Sequence, residues 1–145
     1  SAFLTTSHEE NVTAFELYAG GDGEAWDRAF QDFMANADIA FGVLTTELWS
    51  RAGLGLALKA YRRLGRRGLA EFTGNVLVSC RDWVATFSSE RVHGLLAPWV
   101  LHTGVGPDAA SSGFMTQVIA AAIELGGMPV PKGGGARLVD GLAMG

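Results

Sequence analysis

The chain has 145 residues and a formal charge of −4; 48% of its residues are hydrophobic and only 18% charged. The length allows one domain with a real core, and the acidic balance argues against nucleic acid as a partner. A mean hydropathy of +0.20 with so few charges predicts either deep burial or apolar surface offered to a ligand, partner or membrane.

A single cysteine, Cys80, excludes an internal disulfide framework and suits a reducing, cytoplasmic setting. The start, from Ser1 to Glu10, has neither the basic leader nor the apolar run of a signal peptide. The apolar stretch 109–123 falls short of a membrane span and is interrupted by Ser111, Ser112 and Gln117. Without an initiator methionine, and ending within a helical pattern, the chain reads as a segment of a longer protein.

In chain order, Phe3 to Thr6 is an extended lead, at most a short edge strand. Ser7 and Glu10 have capping-box spacing, and Val12, Phe15 and Tyr18 continue a helix that stops at Gly20-Gly21. Asp22 is placed to cap the next helix, in which Trp26, Phe30, Phe33 and Ala37 form one face. Residues 40–49 predict a third helix. Residues 53–64 predict a fourth, with Leu54, Leu58 and Tyr61 in one stripe and the basic cluster Lys59, Arg62, Arg63, Arg66, Arg67 at its end.

A helix over about 68–87 follows, carrying Phe72, Val76, Cys80, Trp83 and Phe87; Gly74 and the run Val76-Leu77-Val78 also admit a short strand. Ser88-Ser89-Glu90 can cap a helix through Val92, Leu96 and Trp99 that Pro98 kinks or shortens. After the loop 104–108, Asp108 or a later serine opens a helix of small and apolar residues reaching Ile123. The sum is a mainly α chain of six to eight helices, with no repeat and no long linker.

Few residues carry chemistry of their own. His8, His93 and His102 lie far apart without metal-site spacing, and Cys80 sits on an apolar stripe as a small hydrophobe. No Gly-x-Ser-x-Gly elbow is present. Gly53-Leu54-Gly55 begins like a dinucleotide fingerprint, but Leu58 stands at the third glycine and no βα unit precedes it. Gly133-Gly134-Gly135 beside Lys132 admits either anion binding or a tight turn. The arginines Arg62, Arg63, Arg66 and Arg67 either solvate a helix end or, with the leucine stripe, meet an anionic membrane surface. Trp26, Phe30, Trp83, Phe87 and Trp99 are core by default, and some can line an apolar cavity.

From Leu95-Leu96-Ala97-Pro98-Trp99-Val100-Leu101-His102-Thr103-Gly104-Val105-Gly106-Pro107-Asp108, through Phe114, to Gly126-Gly127-Met128-Pro129-Val130-Pro131-Lys132-Gly133-Gly134, Leu138 and Leu142, the chain resembles phytoene-desaturase-like FAD-dependent oxidoreductases. These are a branch of the flavin amine-oxidase superfamily. The element from Pro131 to Leu142 is the most specific part, and the resemblance covers about residues 91–142. Met128 and Lys132 depart mildly from the family's usual aromatic and arginine.

The resemblance implies that residues 1–130 form the helical substrate (cap) domain of a two-domain flavin oxidoreductase. Residues 131–145 would then be a return helix leading to a separate FAD-binding domain. Pro131, Gly133 and Gly134 would lie at the domain junction beside the substrate cavity. It further implies a hydrophobic, carotenoid-like or amine-like substrate oxidised by hydride transfer to FAD. The resemblance carries no catalytic or FAD-binding residue onto this chain, and implies that the segment alone would bind no flavin and be inactive. The alternative is a self-contained, non-catalytic α-helical interaction or ligand-binding domain, with the proline–glycine run a coincidental turn.

Overall fold

The computed structural model describes residues 2–47 and 49–128. Over these the chain is mainly α, with seven α-helices, one 3₁₀ helix and no strand among the described residues. The lead 3–6 is irregular and not an edge strand. Residues 131–145, including Pro131, Gly133 and Gly134, lie outside the described residues.

Helices α1 (His8–Tyr18) and α2 (Asp22–Ala35) form a tight hairpin. Ser7 caps α1 as its spacing predicts, accepting from the Glu10 amide. At the turn, Glu16 accepts from the amides of Gly21 (3.0 Å) and Gly23 (3.1 Å), occupying donors that α2 leaves open. A side chain at position 23 would bring a Cβ within 2.5 Å of the Val12 carbonyl, so glycine permits the close approach.

Asp22 does not cap its own helix. It is the first residue of α2, is buried, and accepts from the amides of Ser88 (2.7 Å) and Ser89 (2.9 Å). A carboxylate that satisfies two amides of a distant loop fixes α2 against the start of α6 (Glu90–Leu96).

Helix α3 (Ala37–Thr45) leads to α4 (Arg51–Leu77), where two of the expected helices become one kinked element. The kink is Gly65, at φ 68° and ψ −176°, a conformation open essentially only to glycine. Ser50 caps α4, accepting from the Gly53 amide. The expected helix over 68–87 is interrupted: α4 stops at Leu77, Val78 is extended, and Ser79 caps the short α5 (Cys80–Val84). Neither half of that stretch is a strand.

The break exists because another helix docks into it. The amides of Ser111 and Gly113 donate to the carbonyls of Leu77 (3.2 Å) and Val78 (3.0 Å). Ser112 Oγ accepts from the Cys80 amide at 2.7 Å. These contacts seat α7 (Ser112–Gly126), and Asp108 pairs with Arg81 instead of capping α7. Pro98 enters a 3₁₀ helix, Ala97–Thr103, which tightens the end of α6.

Helix α7 packs against α2, α4, α5 and the 3₁₀ helix, as its small residues predict. The main core joins Phe15, Trp26, Trp83, Phe87, Val92 and Leu96, with Cys80 fully buried among them. Phe15 meets Trp26 at 5.3 Å, and Trp83 meets Phe87 edge-on at 5.6 Å. Burying each such ring is worth about 1.5–3 kcal/mol of transfer free energy. A smaller cluster of Phe33, Ala40, Phe114 and Ala121 joins α2, α3 and α7.

Candidate functional site

Three regions combine exposure, cavities or charge in ways the core does not. The first surrounds the 3₁₀ helix. Its Trp99 and His102, one turn apart, stack with ring centroids 5.2 Å from each other. On one side of the stack lies an open groove of about 330 Å³, walled by Val118, Ile119, Ala122 and Ile123 of α7 and ending at Met128. On the other side lies a second opening of about 410 Å³ beside Arg91, Leu95 and Pro98. Trp99 is therefore half-buried groove lining, whereas Trp26, Trp83 and Phe87 are core. The groove runs to the residues that immediately precede Pro129. Its chemistry is that of an apolar or aromatic binding surface: one imidazole and one guanidinium are the polar groups nearby.

The second region is a cavity of about 210 Å³ between α2 and the second half of α4, closed beneath by α7. Phe33, Phe72, Val76 and Phe114 give it an apolar floor, with Asp32 and Glu71 at its rim. Its walls depend on the Gly65 kink, which turns residues 66–77 of α4 toward α7.

The third region is the outer face of α4. The structure separates the four arginines that the sequence groups together. Arg63 donates to Asp38 Oδ1 (2.8 Å) and to the Ala35 carbonyl, and Lys59 donates to the other oxygen of Asp38 (2.8 Å). Asp38 is held below the usual carboxylate range, first by the Lys59 hydrogen bond and then by both positive charges. Arg67 pairs with Glu71 one turn on, at 3.0 Å. Among the described residues no carboxylate pairs with Arg51, Arg62 or Arg66. The helix buries Gly53 and Ala60 against the body, while Leu54, Leu58 and Tyr61 point outward. The apolar stripe that could have been core is surface.

Dinucleotide chemistry finds no support in the described residues. Gly53 and Gly55 lie in the first two turns of α4, follow no strand, and the Gly53 amide is already taken by Ser50. Cys80 is buried, with Thr116 Oγ1 at 3.4 Å from its sulfur, and is shielded from reaction.

Sequence reading also missed a buried polar hub. Glu124, 3% exposed on α7, accepts from Asn11 Nδ2 (2.7 Å) and Trp26 Nε1 (3.0 Å), and bonds His8 Nδ1. His8 Nε2 meets Asp27 Oδ1 at 2.8 Å, and the imidazole stacks on Phe30 at 4.6 Å. Two carboxylates on opposite ring nitrogens require both nitrogens to donate, which is the imidazolium. Burial pulls the His8 pKa down, but the bonds to Asp27 and Glu124 outweigh it, and the net shift is upward. Because the carboxylates use different ring nitrogens, the trio cannot converge on one metal ion, and among the described residues no three His, Cys, Asp or Glu side chains are grouped to hold one. The hub joins α1, α2 and α7 and is structural; only the i, i+3 spacing of His8 and Asn11 on one face of α1 hinted at it.

No family model, curated protein or solved structure matches the chain.

Proposed function

We propose that this chain is the helical substrate-binding domain of a phytoene-desaturase-like, FAD-dependent oxidoreductase. The run from residue 91 to residue 142, ending in Pro131, Gly133, Gly134, Leu138 and Leu142, carries the reading. The described part of that run supports it with an open apolar groove beside Trp99 and His102 that leads to Met128, three residues before Pro131. In this reading the groove receives part of a hydrophobic, carotenoid-like or amine-like molecule. The flavin, held by another part of the parent protein, accepts hydride. The residues here bind, orient and exclude water, which needs no acid–base pair.

The gene provides the first test. A strand followed by Gly-x-Gly-x-x-Gly upstream of Ser1 is expected, and the longer product should purify with flavin absorbance. The 145-residue chain titrated with FAD should show no stoichiometric binding. A natural start codon near Ser1 together with a stop codon near Gly145, or one flavin bound per isolated chain, would overturn the reading.

A self-contained helical ligand-binding domain is the second reading. It is favoured by one observation: among the described residues every buried side-chain nitrogen and oxygen has a hydrogen-bond partner.

A further inference from the structure

We propose that the outer face of α4 docks on an anionic phospholipid surface, with Leu54, Leu58 and Tyr61 entering the interface and Arg62 and Arg66 meeting headgroup phosphates. The inference is independent of the flavin reading. Charge is spread unevenly along the chain. Six of the eleven basic residues, and none of the fifteen acidic ones, fall within residues 51–67. The remaining chain is strongly acidic. A protein with net negative charge thus carries one compact cationic element.

The structure then shows which parts of that element are paired among the described residues. Lys59 and Arg63 are engaged with Asp38, and Arg67 with Glu71. Arg62 sits one turn after Leu58 on the same helical ridge. Leu54, Leu58 and Tyr61 are 72%, 50% and 48% exposed, and Trp49, just before the helix, is 99% exposed. Their spacing of three and four places them along one stripe, about 80–160° around the helix from buried Gly53 and Ala60. Aliphatic residues flanked by tyrosine, tryptophan and arginine match the bilayer interface. There an apolar stripe enters the acyl boundary, aromatic rings sit at headgroup depth, and arginine stems extend toward phosphate.

Charge decides between occupants. A second copy seated on this face would bring Arg62 and Arg66 toward another cationic helix, at a cost that anionic lipid turns into attraction. No described helix is long and apolar enough to cross a membrane, so the contact is with one surface. The Gly65 bend follows the stripe, and Arg66 is exposed immediately beyond it, before Phe72 and Val76 of α4 pack on the Phe114 cluster.

Co-sedimentation tests the proposal, using the 145-residue chain with vesicles of phosphatidylglycerol and phosphatidylcholine, or of phosphatidylcholine alone. The chain should sediment with the anionic vesicles and be released as salt rises. The double substitution Arg62→Glu/Arg66→Glu should weaken binding about tenfold or more. Leu54→Ser/Leu58→Ser should weaken it as well, with helix content by circular dichroism unchanged for both. Failure of the wild-type chain to sediment, equal binding to neutral vesicles, or wild-type binding by either variant would each overturn the proposal. So would a dimer in sedimentation velocity that Leu54→Ser/Leu58→Ser abolishes while vesicle binding persists, since the stripe would then belong to a second copy.

Discussion

At the scale of single residues, His8 and Asp22 show how polar side chains set long-range geometry. His8 reaches Glu124 of α7 and Asp27 of α2 at once, and its pKa is raised by those two bonds despite the opposing effect of burial. A raised pKa means that the folded state holds the proton more tightly than the unfolded chain. Its stabilisation is fully present below pH 6.5 and disappears as pH rises through the higher folded value. Asp27 shifts the other way, lowered first by the His8 bond and then by Gln31. Its contribution is present above pH 3.8 and disappears as pH falls through the lowered value. Urea midpoints of the wild type should therefore decline as pH rises beyond 6.5. His8→Gln should be less stable by about 1–2 kcal/mol at pH 6 and should lose that decline. An unchanged alkaline slope in the variant would show that the hub does not bind the proton. Serine-before-glutamate spacing made the cap of α1 visible in the sequence. The roles of His8 and Asp22 were not visible, because their partners lie 116 and about 66 residues away.

At the scale of elements, the decisive feature is the break between α4 and α5. Helical periodicity runs through it, since Phe72, Val76, Cys80 and Trp83 keep nearly regular spacing. The interruption comes from outside, from the amides of Ser111 and Gly113. A Cβ at Gly113 would lie 2.6 Å from the Ser79 carbonyl oxygen and 2.8 Å from Val78 Cγ1. Gly113→Ala should cost about 1–3 kcal/mol, because backbone cannot retreat as a flexible side-chain end can. Gly74→Ala is the matched control: its Cβ would meet nothing within 4 Å, and it should gain about 0.5–1 kcal/mol from helix propensity. Thermal denaturation of the two variants checks both signs; equal shifts would mean that α7 does not rest on the break. Neither glycine's role was legible from sequence, because the difference between them is a neighbour and not a local pattern.

At the scale of the molecule, the two halves of α4 differ in what holds them. Residues 51–64 bury only Gly53 and Ala60. Residues 66–77 lean on α7 through Phe72 and Val76, which pack against Phe114 and Phe33. The helices α1, α2 and α7 share the aromatic core and the hub. Amide hydrogen exchange should thus be fastest in residues 51–64 and slowest in α7 and α2, reflecting local opening without global unfolding. Uniform protection along α4 would contradict this division. Anionic vesicles should slow exchange in 51–64 if that face meets lipid. The expected fast exchange and the apolar stripe of the docking proposal fall in the same helical half, the one that buries only Gly53 and Ala60.

The sequence by itself determined the mainly helical class, the start of α1, the core positions of Trp26, Trp83 and Phe87, and the concentration of positive charge before residue 68. Those properties are local: they follow from side-chain spacing, capping chemistry and composition. It also supplied the resemblance on which the flavin reading rests. Tertiary structure alone decided that Leu54, Leu58 and Tyr61 face outward, that Arg63 and Arg67 are occupied while Arg62 and Arg66 have no carboxylate partner among the described residues, and that Trp99 lines a groove. Each of these turns on which surface another helix covers, and a periodic pattern gives the faces of a helix without saying which neighbour will meet them.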